Sequence, residues 1–146
     1  MNDMSPSTAA PSLEWLGVTY RTILATAETG GAMSIVDTFS PAGSGPPRHV
    51  HAAEDETIAI LSGEVEFWVA GQTFRKGPGE AAFVPRGVEH TFKALADARK
   101  LVILTPGGFE GFFAEMARGG FRIPEDMGAV VESGARHNVT FTGPPL

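Results

Sequence analysis

The stretch Gly43-Ser44-Gly45-Pro46-Pro47-Arg48-His49-Val50-His51-Ala52-Ala53-Glu54-Asp55-Glu56-Thr57-Ile58-Ala59-Ile60-Leu61-Ser62-Gly63 decides how the chain is read. His49 and His51 are separated by one residue, and on an extended strand the side-chain period is two, so both imidazoles share a face. Three acidic residues follow. Glu56 opens the run Glu56–Leu61 with Ile58 and Ile60 on its own parity, which predicts a carboxylate pointing inward with them. Asp55 falls on the opposite parity and Glu54 lies in the expected turn. His90 opens a later run, His90-Thr91-Phe92-Lys93, with Phe92 on its face. Three imidazoles and one carboxylate make a borderline nitrogen–oxygen donor set, suited to one divalent Mn, Fe, Co, Ni, Cu or Zn rather than to Ca or Mg.

Working outward, short apolar-rich runs occupy Glu14–Tyr20, Arg21–Ala27, Met33–Phe39, Val65–Val69, Ala81–Val84 and Lys100–Thr105, most of them separated by Gly, Pro, Ser or Asp. Such spacing predicts an all-β sandwich or barrel. Val65, Phe67 and Val69 alternate with Glu64, Glu66 and Trp68, giving one buried and one wetter face. Ala70-Gly71-Gln72 reads as a tight reversal. The last third differs. Phe109, Phe112, Phe113 and Met116 recur at helical spacing, and Gly119-Gly120 ends that helix. Pro124 is expected to open a second short helix that stops at Gly134, placing the helical appendage at about 109–134. Residues 1–12, small and proline-punctuated, read as a disordered tail, and 13–146 as one domain.

With 18 glycines and 11 prolines in 146 residues there is little room for long helices. The absence of cysteine removes disulfides, thiolate metal sites and cysteine nucleophiles. A formal charge of −6 argues against a nucleic-acid partner. No apolar run approaches the ~20 residues of a membrane helix, and no secretory signal is visible, so the expectation is a cytoplasmic protein.

The glycine and proline frame resembles the cupin superfamily. Gly43, His49, His51, Glu56 and Gly63 match every fixed position of its first motif, and Gly79, Pro85, Gly87 and His90 match the second, over 43–63 and 79–94. The second motif departs only at its end, where Ala94 stands for Asn. The resemblance implies a double-stranded β-helix, or jelly-roll barrel, with His49, His51, Glu56 and His90 as the metal ligands. The phrases Gly45–His51, Pro85–His90 and Thr105–Phe113 are similar to small bacterial cupins related to quercetin 2,3-dioxygenase. This likeness implies a metal-dependent dioxygenase acting with O2 on a flavonol or other enolisable aromatic, Glu56 serving as ligand and general base.

Phe67, Phe83, Phe92, Phe109 and Phe113 are the expected pocket residues, although ordinary packing accounts for phenylalanines equally well. Two other functions fit the same donor set: isomerase or lyase chemistry on a small hydroxy or keto acid, and a non-catalytic metal- or ligand-binding module. Arg48 has outward parity, Trp68 is a residue for a dimer face, and His137 belongs to a solvated turn. Free strand edges at Glu14–Ala27 predict a homodimer.

Overall fold

The computed structural model describes residues 11–146, so most of the tail expected at 1–12 lies outside the described residues. Eleven strands follow in chain order: β1 (Leu13–Trp15), β2 (Val18–Leu24), β3 (Ser34–Ser40), β4 (Arg48–His51), β5 (Asp55–Ser62), β6 (Val65–Val69), β7 (Gln72–Lys76), β8 (Ala81–Val84), β9 (His90–Ala94), β10 (Ala98–Thr105) and β11 (Val139–Gly143). Two helices, α1 (Glu110–Gly119) and α2 (Met127–Arg136), separate β10 from β11. One antiparallel sheet has the order β1-β2-β3-β10-β5-β8 and the other β11-β4-β9-β6-β7. The two sheets face each other as the jelly roll that the motifs imply.

Alternation within the strands fills the space between the sheets. On β5, Glu56, Ile58 and Ile60 are buried while Asp55, Thr57 and Ala59 are half-buried and Leu61 is exposed. On β6, Val65 and Phe67 are buried. One apolar cluster joins Ile58, Ile60, Val65 and Phe67 at one end of the barrel, and a second gathers Trp15, Val102, Leu104, Phe112 and Met116 around the helices. Each large side chain so buried contributes about 1.5–3 kcal/mol.

Local chemistry departs from the expected elements at three places. Glu14–Tyr20 is not one strand, because Leu16 and Gly17 both take positive φ (52° and 80°) and fold β1 back onto β2. A two-residue reversal of this kind suits glycine at its second position. As a result β2 is paired on both sides, with β1 and β3, so β1 rather than β2 is the edge at that end of the sheet, β8 being the other edge. Thr26–Thr29 forms a 3-10 turn rather than the end of a strand.

The second helix starts at Met127, after the turn that contains Pro124, and runs past Gly134 to Arg136. Gly134 is there for packing. A Cβ on it would stand 2.9 Å from the Phe141 ring and 3.1 Å from the Val139 carbonyl oxygen, so only glycine lets β11 approach α2 this closely. The first helix behaves as its spacing predicts, burying Phe112 and Met116. Phe112 meets Trp15 edge to face at 5.9 Å, and the Trp15 indole N–H donates to the Phe121 carbonyl at 2.7 Å. The helices thereby close one side of the space between the sheets.

Candidate metal centre

His49 and His51 project inward from β4, His90 from β9 and Glu56 from β5, so both sheets contribute. All four are buried, and one donor atom from each lies within 4.8 Å of the others. His49 sits directly opposite His90 in the β4–β9 pair. Glu56 Oε2 lies 2.9 Å from His51 Nε2 and 3.2 Å from His90 Nε2.

The hydrogen bonds around the rings select the atoms that face one another. Nδ1 of His49 donates to the Pro47 carbonyl at 2.7 Å, and Nδ1 of His90 to the Val88 carbonyl at 3.0 Å. A carbonyl can only accept, so in each neutral ring Nε2 carries the lone pair. The bare Nε2 of His90 then confronts a carboxylate oxygen of Glu56, two acceptors with nothing to donate between them. A cation placed among the four resolves that conflict, and the donor set suits a divalent transition metal.

Electrostatics of the metal-free group point the same way. Burial, helped by His90 and His51, drives the pKa of His49 down to about 3, keeping its ring neutral. Burial also disfavours charge on His51, but Glu56 and Glu54 overcome it and lift the pKa to about 9. Burial opposes charge on Glu56 too, and the adjacent His51 and His90 outweigh it, holding the carboxyl well below its ordinary range. Without metal, the group therefore holds the ionised carboxylate of Glu56 against a protonated His51.

The group opens into a cavity of about 360 Å³. That volume lies within the range of small-molecule sites. Phe92, Phe109 and Phe113 line it, as do Trp15, Tyr20, Phe112 and Phe141. Phe109 stands edge-on to the His51 ring, 4.5 Å between centroids. Tyr20 stacks on Phe113 at 4.3 Å, and burial raises its phenol above the usual range.

Two of the expected pocket residues are elsewhere. Phe83 is 58% exposed, because β8 pairs Val84 with Glu56 and Ala82 with Ile58, and that register turns Phe83 outward. Phe67 points inward but is sealed in the apolar cluster against Phe74 and Phe92, away from the cavity. Glu54, which could equally have backed a ligand imidazole or lain in a solvated turn, takes the first of these places. It is buried, with Oε2 3.7 Å from His51 Nδ1, whereas Asp55 accepts the backbone N–H of Arg86 at the surface. Arg48 stacks over the Trp68 ring at 3.8 Å on the outer face. His137 is half-buried at the end of α2, its Nδ1 donating to the Ser133 carbonyl at 2.9 Å.

Lys100 is the cavity residue that the sequence analysis passed over. It is 2% exposed and lines the cavity with Thr38 and Ser40. The signal was present, since Lys100 shares its parity with Val102 and Leu104.

Residues 36–106 match the cupin domain family. The chain belongs to the cupin superfamily. This cupin is 32% identical over 95 residues to quercetin 2,3-dioxygenase of Bacillus subtilis strain 168, covering 64% of this chain and 28% of that enzyme. It therefore spans less than a third of that relative. KdgF from a Halomonas species superposes with a TM-score of 0.63 at 19% identity, covering 69% of this chain and 92% of KdgF. Ectoine synthase from P. lautus superposes with a TM-score of 0.60 at 18% identity, over 92% of this chain and 83% of the other. At such identities the two structures establish the double-stranded β-helix and nothing narrower. Among the described residues no helix is long and apolar enough to cross a membrane.

Proposed function

We propose that this cupin is a metal-dependent, quercetinase-like dioxygenase acting on a flavonol or another enolisable aromatic. One observation carries the reading: four buried donors converge at the wall of a cavity lined largely by aromatic rings. A divalent transition metal held by His49, His51, Glu56 and His90 would supply a Lewis acid for an enol or phenol oxygen, with positions left open to substrate.

The chain's own residues supply the rest. Phe92, Phe109, Phe112 and Phe113 offer flat apolar surface to a planar substrate and keep water from it. Glu56 is the group that receives the substrate's proton. Its Oε2 is engaged by His51 and His90, while Oε1 has no partner among the described residues. Tight pairing makes Glu56 a weak base in the resting site. It becomes a better one as His51 gives up its proton. The 28% coverage of the Bacillus enzyme leaves this activity to be tested on the chain itself. A small hydroxy or keto acid would fill the aromatic walls poorly, which favours the dioxygenase over the isomerase reading. The proposal treats 13–146 as one cytoplasmic domain acting as a homodimer.

The test is metal content of untagged protein beside His51→Ala, followed by substrate-dependent O2 uptake with quercetin. Near-stoichiometric metal that is lost in the variant, with O2 consumed only when flavonol is present, is the expected result. Metal-loaded protein that takes up no O2 with flavonols or simpler enolisable aromatics overturns the reading.

A further inference from the structure

Lys100 lies on β10 with its side chain directed between the sheets, opposite Thr38 on β3 and Ile60 on β5. The β10–β5 register shifts between Arg99 and Lys100, an irregularity of the kind that re-aims side chains beside functional sites. The residue is 2% exposed, yet its ammonium makes no ion pair or side-chain hydrogen bond among the described residues. It sits over the face of Phe92, 4.0 Å from the ring centroid, and the charge of Glu56 acts on it from further off. Such a contact offsets only part of the cost of burying a charge.

Position gives the lone ammonium a use. Phe92 is two residues beyond His90 on β9, hence on the same face and one ladder step away, roughly 7 Å. The ammonium and the His/Glu group therefore line the same cavity on either side of Phe92, near enough for the charge of Glu56 to act on Lys100. Ser40 lies on the same wall, buried, with no side-chain hydrogen bond among the described residues. Three neutral imidazoles, one carboxylate and a divalent ion sum to about +1, and Lys100 adds a second positive charge in the same cavity. A cavity with that distribution favours a molecule with negatively charged oxygen at both ends.

We propose that Lys100 is a substrate-binding residue whose ammonium receives the carboxylate of an aromatic substrate held in the cavity beside the His49–His51–Glu56–His90 group. This rests on the reading of the cavity as a site for an aromatic molecule and narrows it to aromatic acids. Burial that brings the pKa of Lys100 down to about 8 leaves most of the side chain charged at neutral pH.

The test is anaerobic calorimetry on zinc-loaded protein with two probes that share a catechol. These are 3,4-dihydroxybenzoate, with a carboxylate across the ring, and 4-methylcatechol, without one. Wild type is expected to bind the carboxylate probe at least about tenfold more tightly, the return for one charge-assisted hydrogen bond. Lys100→Met should abolish that preference while leaving zinc content and the affinity for 4-methylcatechol unchanged. Equal affinities in wild type, or a preference that survives in Lys100→Met, overturn the proposal. The wild-type comparison decides even if the variant fails to fold. Benzoate against benzamide on metal-free protein separates the two readings. A benzoate preference in protein that binds no zinc removes the metal reading alone, and zinc binding without any carboxylate preference removes this one alone.

Discussion

Glu54 and Glu56 hold His51 from opposite sides of its ring: Oε2 of Glu56 lies 2.9 Å from Nε2, and Oε2 of Glu54 lies 3.7 Å from Nδ1. His51 Nδ1 and Glu54 Oε2 are both buried without a hydrogen-bond partner at that separation. A small closing of the gap would let His51 donate Nδ1–H to Glu54 and present Nε2 to a metal, the carboxylate–histidine–metal arrangement that raises ligand basicity. Glu54→Gln keeps the shape and removes the charge. It is expected to weaken metal binding by about 10–100-fold without unfolding the protein. Chelator competition measures this, and an affinity within about twofold of wild type would show that Glu54 does not tune the site.

Metal affinity should depend on pH well above the ordinary histidine range. A metal needs neutral imidazole, and His51 keeps its proton up to about pH 9 in the metal-free protein. Affinity is therefore expected to rise about tenfold per pH unit up to that point and then level off, with one proton released per metal bound. An unperturbed histidine would give a plateau from about pH 6.5. Because the folded pKa of His51 is raised, its contribution to metal-free stability is full below about 6.5 and lost as pH rises through about 9. Calorimetry in buffers of different ionisation enthalpy counts the proton, and a flat affinity profile above neutrality would contradict the assignment.

Lys100→Met should stabilise the fold. A lysine lowered from 10.5 to about 8 by burial makes folding less favourable wherever it must carry its charge. By linkage that difference is worth roughly 3 kcal/mol. The sign is set by the lowered pKa: the cost is full below about pH 8 and vanishes as pH rises past 10.5. Urea unfolding at neutral pH should favour the variant, and the gap should close in alkali. A variant less stable than wild type at neutral pH would mean that Lys100 has a structural partner.

Gly63→Ala should destabilise the hairpin that joins β5 to β6. Gly63 has φ +82°, and a Cβ there would run into the Asp97 carbonyl oxygen and Ala98. Strain and overlap together predict a loss of at least about 1–3 kcal/mol, seen as a lower urea midpoint. A midpoint equal to wild type would show that the backbone relaxes without cost.

The faces of the candidate metal donors on β4 and β5 were legible because the information is local. His49 and His51 share a strand face by period, and Ile58 and Ile60 fix the direction of Glu56. The same rule applied to Lys100, Val102 and Leu104 would have sent Lys100 inward, but a lysine is read as exposed by default. Phe83 shows the limit. Alternation makes Phe83 and Val84 point oppositely, yet which of them faces the cavity depends on the pairing of Val84 with Glu56 from another strand. Gly134 shows another limit: glycine is a common helix stop, and only the approach of Phe141 reveals it as a packing position.

By itself, then, the sequence determined the fold class, the reversal at Ala70-Gly71 and the shared inward faces of His49, His51 and Glu56, because backbone period and glycine stereochemistry act within a few residues. That His90 joins them was implied by the resemblance of the glycine and proline frame. Tertiary structure alone decided that Glu54 backs His51, that Phe92 lines the cavity while Phe67 is sealed in the core, and that the ammonium of Lys100 has no ion pair or hydrogen bond among the described residues. Those outcomes depend on what the opposing sheet and the helices place across each face. A chain's local period sets the relative directions of its side chains and carries no information about what will cover them.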